Sequence, residues 1–292
     1  MTGQVLIRHP AQRDAEPLRQ FIETHCANGF DVATAWRVLT EVSTTSEDVF
    51  ELYQHGRLSA VLTLVPTGFG AAMMDLLGWD GQSFDDDAKI RLLKALTRRA
   101  QTQGCNAIEL GVEQWLLDSI GLLQQMGFTP HFTLYGMSRP ADLPCMVYTP
   151  PVPLTWRRCT EADLEPYYQM LKRTFVHPGV VIPSFESTAT HQRQTPGWVL
   201  ADGHRLAGFV NVKTYQQAGR SIGEVASIGR DPDYQSYHLG EVLMSKALTE
   251  LQQQPLDEIT LVMTASNQRA LALYQRFDFA VSDETDFYRK VL

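Results

Sequence analysis

Residues 231–243 read DPDYQSYHLGEVL. A proline-bounded turn becomes a polar stretch, Gly240 follows, and an amphipathic helix begins at once. The run before it, Gly223-Glu224-Val225-Ala226-Ser227-Ile228-Gly229-Arg230, alternates like a strand. A helix entered this way has several N–H groups without intrahelical partners, at the positive end of its dipole. An anion, a diphosphate for example, fits there on main-chain donors alone. The competing reading is a plain helix start after a Pro-Asp turn.

Working outward, the chain repeats itself. Before the motif, GWVLADGHRLAGFVNVKTY (197–215) reads as two strands around Asp202–Gly203, a hairpin signal. In the first half, DVFELYQHGRLSAVLTLVP (48–66) does the same around His55–Gly56. Strands at 4–8 and 154–158 precede helices, the second entered through Thr160 and Asp163 as a capping-box-like pair. Helices at about 87–103 and 238–253, then strands at 106–111 and 258–264, come next in each half. LLQQMGF (122–128) and LYQRFDF (273–279) close the parallel. The period is roughly 150 residues, and the pattern β-α-(α)-βββ-α-β-α-β implies an α/β (α+β) sandwich with a mixed sheet. Between the halves, SRPADLPCMVYTPPVP (138–153) has five prolines in sixteen residues. That composition reads as a linker, unfit for a helix or a central strand. The expected division is 1–138, a linker at 139–153, and 154–292.

Composition restricts function. A length of 292 residues suits two domains, and a net charge of −8 argues against non-specific nucleic-acid binding. The N-terminal residues have no apolar run long enough for a signal peptide or a membrane span. The four cysteines, Cys26, Cys105, Cys145 and Cys159, form no CxxC pair, so no metal site is expected. A reducing cytoplasm is the expected setting.

A second motif follows: Asn267-Gln268-Arg269-Ala270-Leu271-Ala272-Leu273-Tyr274-Gln275-Arg276-Phe277-Asp278-Phe279. Asn267 suits a helix cap, and Tyr274 lies two turns on along the same face. Together, 235–240 and 267–279 resemble the GCN5-related N-acetyltransferase (GNAT) family, with its Gln/Arg-x-x-Gly-x-Gly/Ala loop and its Asn-x-x-Ala-x-x-Leu-Tyr-x-x-x-Gly-Phe helix. The resemblance covers 154–292 by motif and 4–137 by element order alone. The tandem layout is similar to the mycothiol synthase type.

The resemblance implies two tandem domains, each a mostly antiparallel sheet with a splayed parallel pair. It implies acetyl-CoA as cosubstrate, with its pyrophosphate on Gln235, Ser236, Tyr237, His238, Leu239, Gly240 and Glu241. Its arm would pair with the strand edge at Ile228, Gly229 and Arg230, whose N–H groups would polarise the acetyl carbonyl. Asn267 would also bind the arm. Glu224 matches the family's general base in spacing, and Tyr274 its general acid. Direct transfer to a primary amine of a small molecule or peptide follows, because an ammonium must lose a proton before it attacks. Alternatives are another acyl-CoA donor and a non-catalytic acyl-CoA-binding regulator. His238, Arg230 and Asp278 depart from the family pattern; a side chain at 238 would crowd the phosphates unless its φ is negative. No nucleic-acid or membrane partner is implied, and a monomer suits the tandem layout.

The first half lacks these groups. Asp85, Asp86 and Asp87 stand before its helix and would repel a diphosphate. Leu123 stands for Tyr274, Leu116 for Asn267, and Met73 near the Glu224 position. For the acceptor, 174–196 offers His177, Glu186 and His191. Trp156, Trp198 and Tyr215 read as core or rim.

Overall fold

A computed structural model describes residues 5–12, 15–26, 32–42, 45–67, 70–112, 116–176, 182–217 and 219–292; side chains at 34, 41, 42, 117, 236 and 237 are not described. His177 lies outside the described residues. In chain order the first elements are β1 (Leu6–Arg8), α1 (Glu16–His25), α2 (Val32–Arg37), β2 (Val49–Gln54), β3 (Arg57–Pro66), β4 (Ala71–Trp79), α3 (Asp86–Thr102), β5 (Ala107–Gly111), α4 (Ile120–Gln125) and β6 (Thr129–Pro140). Then come β7 (Thr155–Arg158), α5 (Leu164–Thr174), α6 (Phe185–Gln194), β8 (Trp198–Asp202), β9 (Arg205–Gln217), β10 (Arg220–Arg230), α7 (Leu239–Leu251), β11 (Glu258–Thr264), α8 (Gln268–Arg276) and β12 (Ala280–Val291).

These elements form two compact units, Met1–Thr133 with Thr285–Leu292, and Leu134–Glu284. In the first, the strand order is β1-β2-β3-β4-β5 followed by Phe287–Val291 of β12. Every neighbour pair is antiparallel except β4 and β5, which run parallel from Ala71↔Ala107 to Met74↔Leu110. In the second, the order is residues 134–140 of β6, then β11-β10-β9-β8-β7. Here β10 and β11 are the parallel pair. Each unit is therefore a mixed, mostly antiparallel sheet with helices on both faces, the architecture its sequence implies.

Local sequence explains the elements. Leu92, Leu93, Leu96 and Ala100 put one apolar stripe of α3 into the core of the first unit. Burying each leucine stabilises the fold by roughly 1.5–3 kcal/mol. The opposite face of that sheet is covered by Leu18, Ile22, Val38 and Leu39 from the α1–α2 region. In the second unit α7 buries Leu239, Val242, Leu243, Met244, Ala247, Leu248 and Leu251 under one face. Tyr167, Met170 and Leu171 of α5 and Ala189 of α6 cover the other. Thr160 and Asp163 do form a reciprocal capping box, ahead of α5. His55 and Gly56 turn β2 into β3, both at positive φ (52° and 77°), as a type I′ hairpin needs.

Three expectations need correction. Ser138–Pro140 are not linker: they pair with β11 through Thr260, Ile259 and Glu258. Pro140 is tolerated because it ends the strand, where a missing donor costs least. The second hairpin turns at Gly203 and His204, with Gly203 at φ 56°, and Asp202 is the last residue of β8. The units divide at 133/134 and 284/285, whereas sequence placed the division at the proline-rich segment. Each unit takes its last strand from the other half of the chain.

Among the described residues, no helix is long and apolar enough to cross a membrane, and no group of three or more His, Cys, Asp or Glu side chains is placed to hold a metal ion.

Candidate active site

The site begins where the parallel pair parts. β10 and β11 are in register only from Ile222↔Glu258 to Glu224↔Thr260. Beyond that point β10 continues to Arg230 and β11 to Thr264 without a shared ladder. A bulge between Val225 and Ser227, seen in the pairing of β10 with β9, bends the strand just past the parting. Gly229 keeps the strand close to its neighbours: an added Cβ would come within 2.6 Å of Thr174 Cγ2 and 2.7 Å of the Phe209 ring.

A cavity of about 680 Å³ occupies the divergence. Its wall gathers Ile228, Gly229, Arg230, Gln235, His238, Leu239, Gly240, Glu241, Asn267 and Tyr274, all selected from sequence. It adds Arg173, Thr174, Arg269 and Arg276, which sequence reading passed over. Ser236 and Tyr237 contribute backbone to the 3₁₀ turn Pro232–Tyr237, and their side chains are not described.

The turn is pinned from below. Asp231 is 2% exposed, caps the turn by accepting from Asp233 N at 2.9 Å, and is ion-paired with Arg173 of α5. Arg205 holds Asp233 at 2.7 Å, and its guanidinium lies over the Tyr234 ring. The turn then passes through His238 at φ 50°, ψ 40° into α7. The left-handed conformation is the one glycine adopts freely, and a histidine there costs roughly 1–2 kcal/mol. The condition set for His238 thus fails: its φ is positive, and the side chain is exposed at the cavity wall. The His238 side chain makes no capping bond to α7. The first amides of that helix stand at the cavity without intrahelical partners. Gly240, in the cavity wall, also has a packing role. An added Cβ would sit 3.0 Å from Leu273 Cδ2, so its smallness lets α7 close on α8.

The far wall is α8. Asn267 Oδ1 caps it by accepting from Ala270 N at 3.1 Å. Tyr274 is 9% exposed, and burial pushes its hydroxyl up to about 12. It stays protonated far above neutral pH. Arg276 pairs with Glu241 at 2.7 Å. Arg230 has a buried Nη1 with no hydrogen-bond partner among the described residues. Burial, and secondarily the neighbouring Arg269 charge, push Arg230 down from the usual arginine range.

Glu224 is not in the cavity wall. It stands at the apex of the divergence, opposite Lys213 on β9 and 3.2 Å from its ammonium. Val225 packs with α7, so alternation turns Glu224 to the opposite sheet face, where α5 and α6 lie. On that side Glu186 and His191 are exposed on α6. Trp156 and Trp198 pack against the α7 core, and Tyr215 lies under Lys213.

Residues 156–279 match the acetyltransferase (GNAT) family. This stretch is GNAT-like. The mycothiol acetyltransferase of Acidimicrobium ferrooxidans is 27% identical over 205 residues, 66% of this chain and 65% of that one. That of Saccharomonospora viridis is 32% identical over 115 residues, 35% and 37% of the two chains. The chain thus spans less than two-thirds of the length of these relatives. Among solved structures, a tandem GNAT protein from the clavulanic acid biosynthesis pathway aligns with a TM-score of 0.70 at 13% identity, covering 99% of this chain and 98% of that one. A GCN5-related N-acetyltransferase from Sphaerobacter thermophilus aligns at 0.68 and 15% identity over 98% and 95%. The fold is that of the tandem GNAT proteins.

Proposed function

We propose that this GNAT domain binds acetyl-CoA and transfers the acetyl group to a primary amine. The observation that carries this reading is the start of α7, which its N-cap residue His238 leaves without a side-chain capping bond, at the mouth of a parted parallel pair. The amides of 239–241 and the turn before them would hold the pyrophosphate. The free edge of β10 would take the pantetheine amides as a missing strand, aided by Asn267. The N–H groups around Ile228–Arg230 would face the thioester oxygen, where charge develops in the transition state.

The chemistry needs little else. Glu224 would take the proton from the incoming ammonium, directly or through water, approaching from the α5–α6 side. The freed nitrogen attacks the thioester carbon, the C–N bond forms and the C–S bond breaks. Tyr274 would supply the proton to the leaving sulfur; its raised pKa keeps that proton available. The relatives are named mycothiol acetyltransferases, and by that likeness we propose an amine-bearing small molecule as the acceptor.

Calorimetry with acetyl-CoA and CoA, followed by thiol release against a panel of primary amines, tests the proposal. Micromolar binding and amine-dependent thiol release are expected. The absence of binding at millimolar cofactor would overturn it. Binding without turnover on any amine would favour the regulatory alternative.

A further inference from the structure

Four arginines line the cavity, and they fall into two kinds. Arg173 and Arg276 are each matched by a carboxylate, Asp231 and Glu241. Arg230 and Arg269 have no carboxylate partner among the described residues. Arg230 lies deeper, with Nη1 buried and unbonded; Arg269 is exposed at the rim, on the first turn of α8. Two like charges are thus held together in a chain whose net charge is −8. Among the described residues nothing compensates the buried N–H, and leaving such a donor unmade is costly. Arg230 is also anchored on the right strand. It directly follows Gly229, and its carbonyl is fixed by Thr174 Oγ1 at 3.2 Å.

We propose that Arg230 and Arg269 form a clamp for an oxyanion of the bound thioester ligand. The inference rests on the acyl-CoA reading above and names two side chains that hold the ligand's charge. A planar guanidinium takes phosphate or carboxylate through two parallel N–H donors, which suits either source of the anion. One source is a phosphate of the CoA moiety. The other is a carboxylate on a short acyl chain, since Arg230 adjoins the amides that would face the thioester. The clamp would also supplement the backbone site, where His238 stands in place of glycine.

The test uses calorimetry on the full chain and its Arg230→Gln, Arg230→Lys and Arg269→Gln variants, with melting curves as the folding control. The probes are CoA, 3′-dephospho-CoA, pantetheine and succinyl-CoA. If the anion is a phosphate, Arg230→Gln should weaken CoA by roughly 10–50-fold and leave pantetheine within twofold, because a charge-assisted bidentate contact is lost. Arg269→Gln, at the exposed rim, should cost roughly 3–10-fold. Lysine at 230 should restore part of the loss and flatten under salt. If the anion is the 3′-phosphate, the effect disappears with 3′-dephospho-CoA. If it is an acyl carboxylate, the wild type prefers succinyl-CoA over CoA and Arg230→Gln removes only that preference. Wild-type affinities for both CoA and succinyl-CoA in both glutamine variants, or losses for pantetheine equal to those for CoA and succinyl-CoA, overturn the clamp alone. No binding of CoA by the wild type overturns the acyl-CoA reading and the clamp with it.

Discussion

The two units each build a parallel strand pair and start the helix that follows in opposite ways. In the first, the β4–β5 ladder ends at Met74↔Leu110, one residue before β5 itself ends, and α3 begins under Asp85, whose carboxylate accepts from Ala88 N at 2.8 Å. Asp86 and Asp87 add charge to the same turn. In the second, β10 and β11 separate after Glu224↔Thr260, and α7 begins at His238, whose side chain makes no capping bond. Asp85 takes one donor of the first helix start; His238 takes none of the second. The lesson is that the fold alone does not make the site. A helix N-terminus attracts anions until a local carboxylate occupies it, and three aspartates are enough to close it.

The same contrast extends to single positions, and each pair can be tested. The largest effect is expected at the base of the split. Met73 is third in the parallel ladder of β4, as Glu224 is in that of β10. Glu224→Gln should lower kcat about 100-fold or more while CoA affinity stays within twofold. A kcat within twofold of wild type would remove Glu224 from the mechanism.

Next comes Tyr274, matched by the fully buried Leu123 of α4. Tyr274→Phe should lower kcat about 30-fold, less than a base would because a thiol of ordinary pKa leaves readily. In the wild type no alkaline loss from this group is expected until pH approaches 12. An earlier limb that vanishes in the phenylalanine variant would contradict the assignment. The same shift has a stability consequence. An unfolded tyrosine ionises near 10 and the folded one near 12, so the unfolded state binds fewer protons between those values. Stability should therefore be flat below pH 10 and decline between 10 and 12, less steeply in Tyr274→Phe; alkaline melting curves check it.

His238→Asp imports the carboxylate of Asp85 into α7. It should weaken CoA about 10-fold through competition for the same amides and charge repulsion. The smallest effect is the reverse case. Asp85→Ala should cost about 1 kcal/mol of unfolding free energy and leave CoA affinity unchanged. A change in that affinity would tie α3 to the ligand and break the contrast.

How far the sequence carried this reading differs between layers. The repeat, the hairpin around His55–Gly56, and β11 at 258–264 were legible because period-two alternation and turn residues are local signals. The turn ahead of α7 and the helix running from Asn267 past Tyr274 were legible for a similar reason: each places its marked residues at fixed spacing on one element. Three things were not. The role of Gly240 depends on Leu273, thirty-three positions away, which no local pattern reveals. Arg173 and Arg269 read as ordinary surface charges until α5 and α8 are set on the same cavity. Glu224 matched a spacing, yet spacing does not say which face of β10 it occupies or that Lys213 lies 3.2 Å away.

The exchange of last strands between the halves bears on how the molecule is made. A ribosome releases the Asp85-capped half first, yet the segment that borders β5, Phe287–Val291, is translated only after residues 112–286. Until then that nascent half exposes a raw border along β5, ready to zip onto any extended chain it meets. Severing the gene at the prolines would make this condition permanent. A fragment starting at residue 154 would have β11 without the border supplied by 134–140, so neither piece is a self-sufficient folding module.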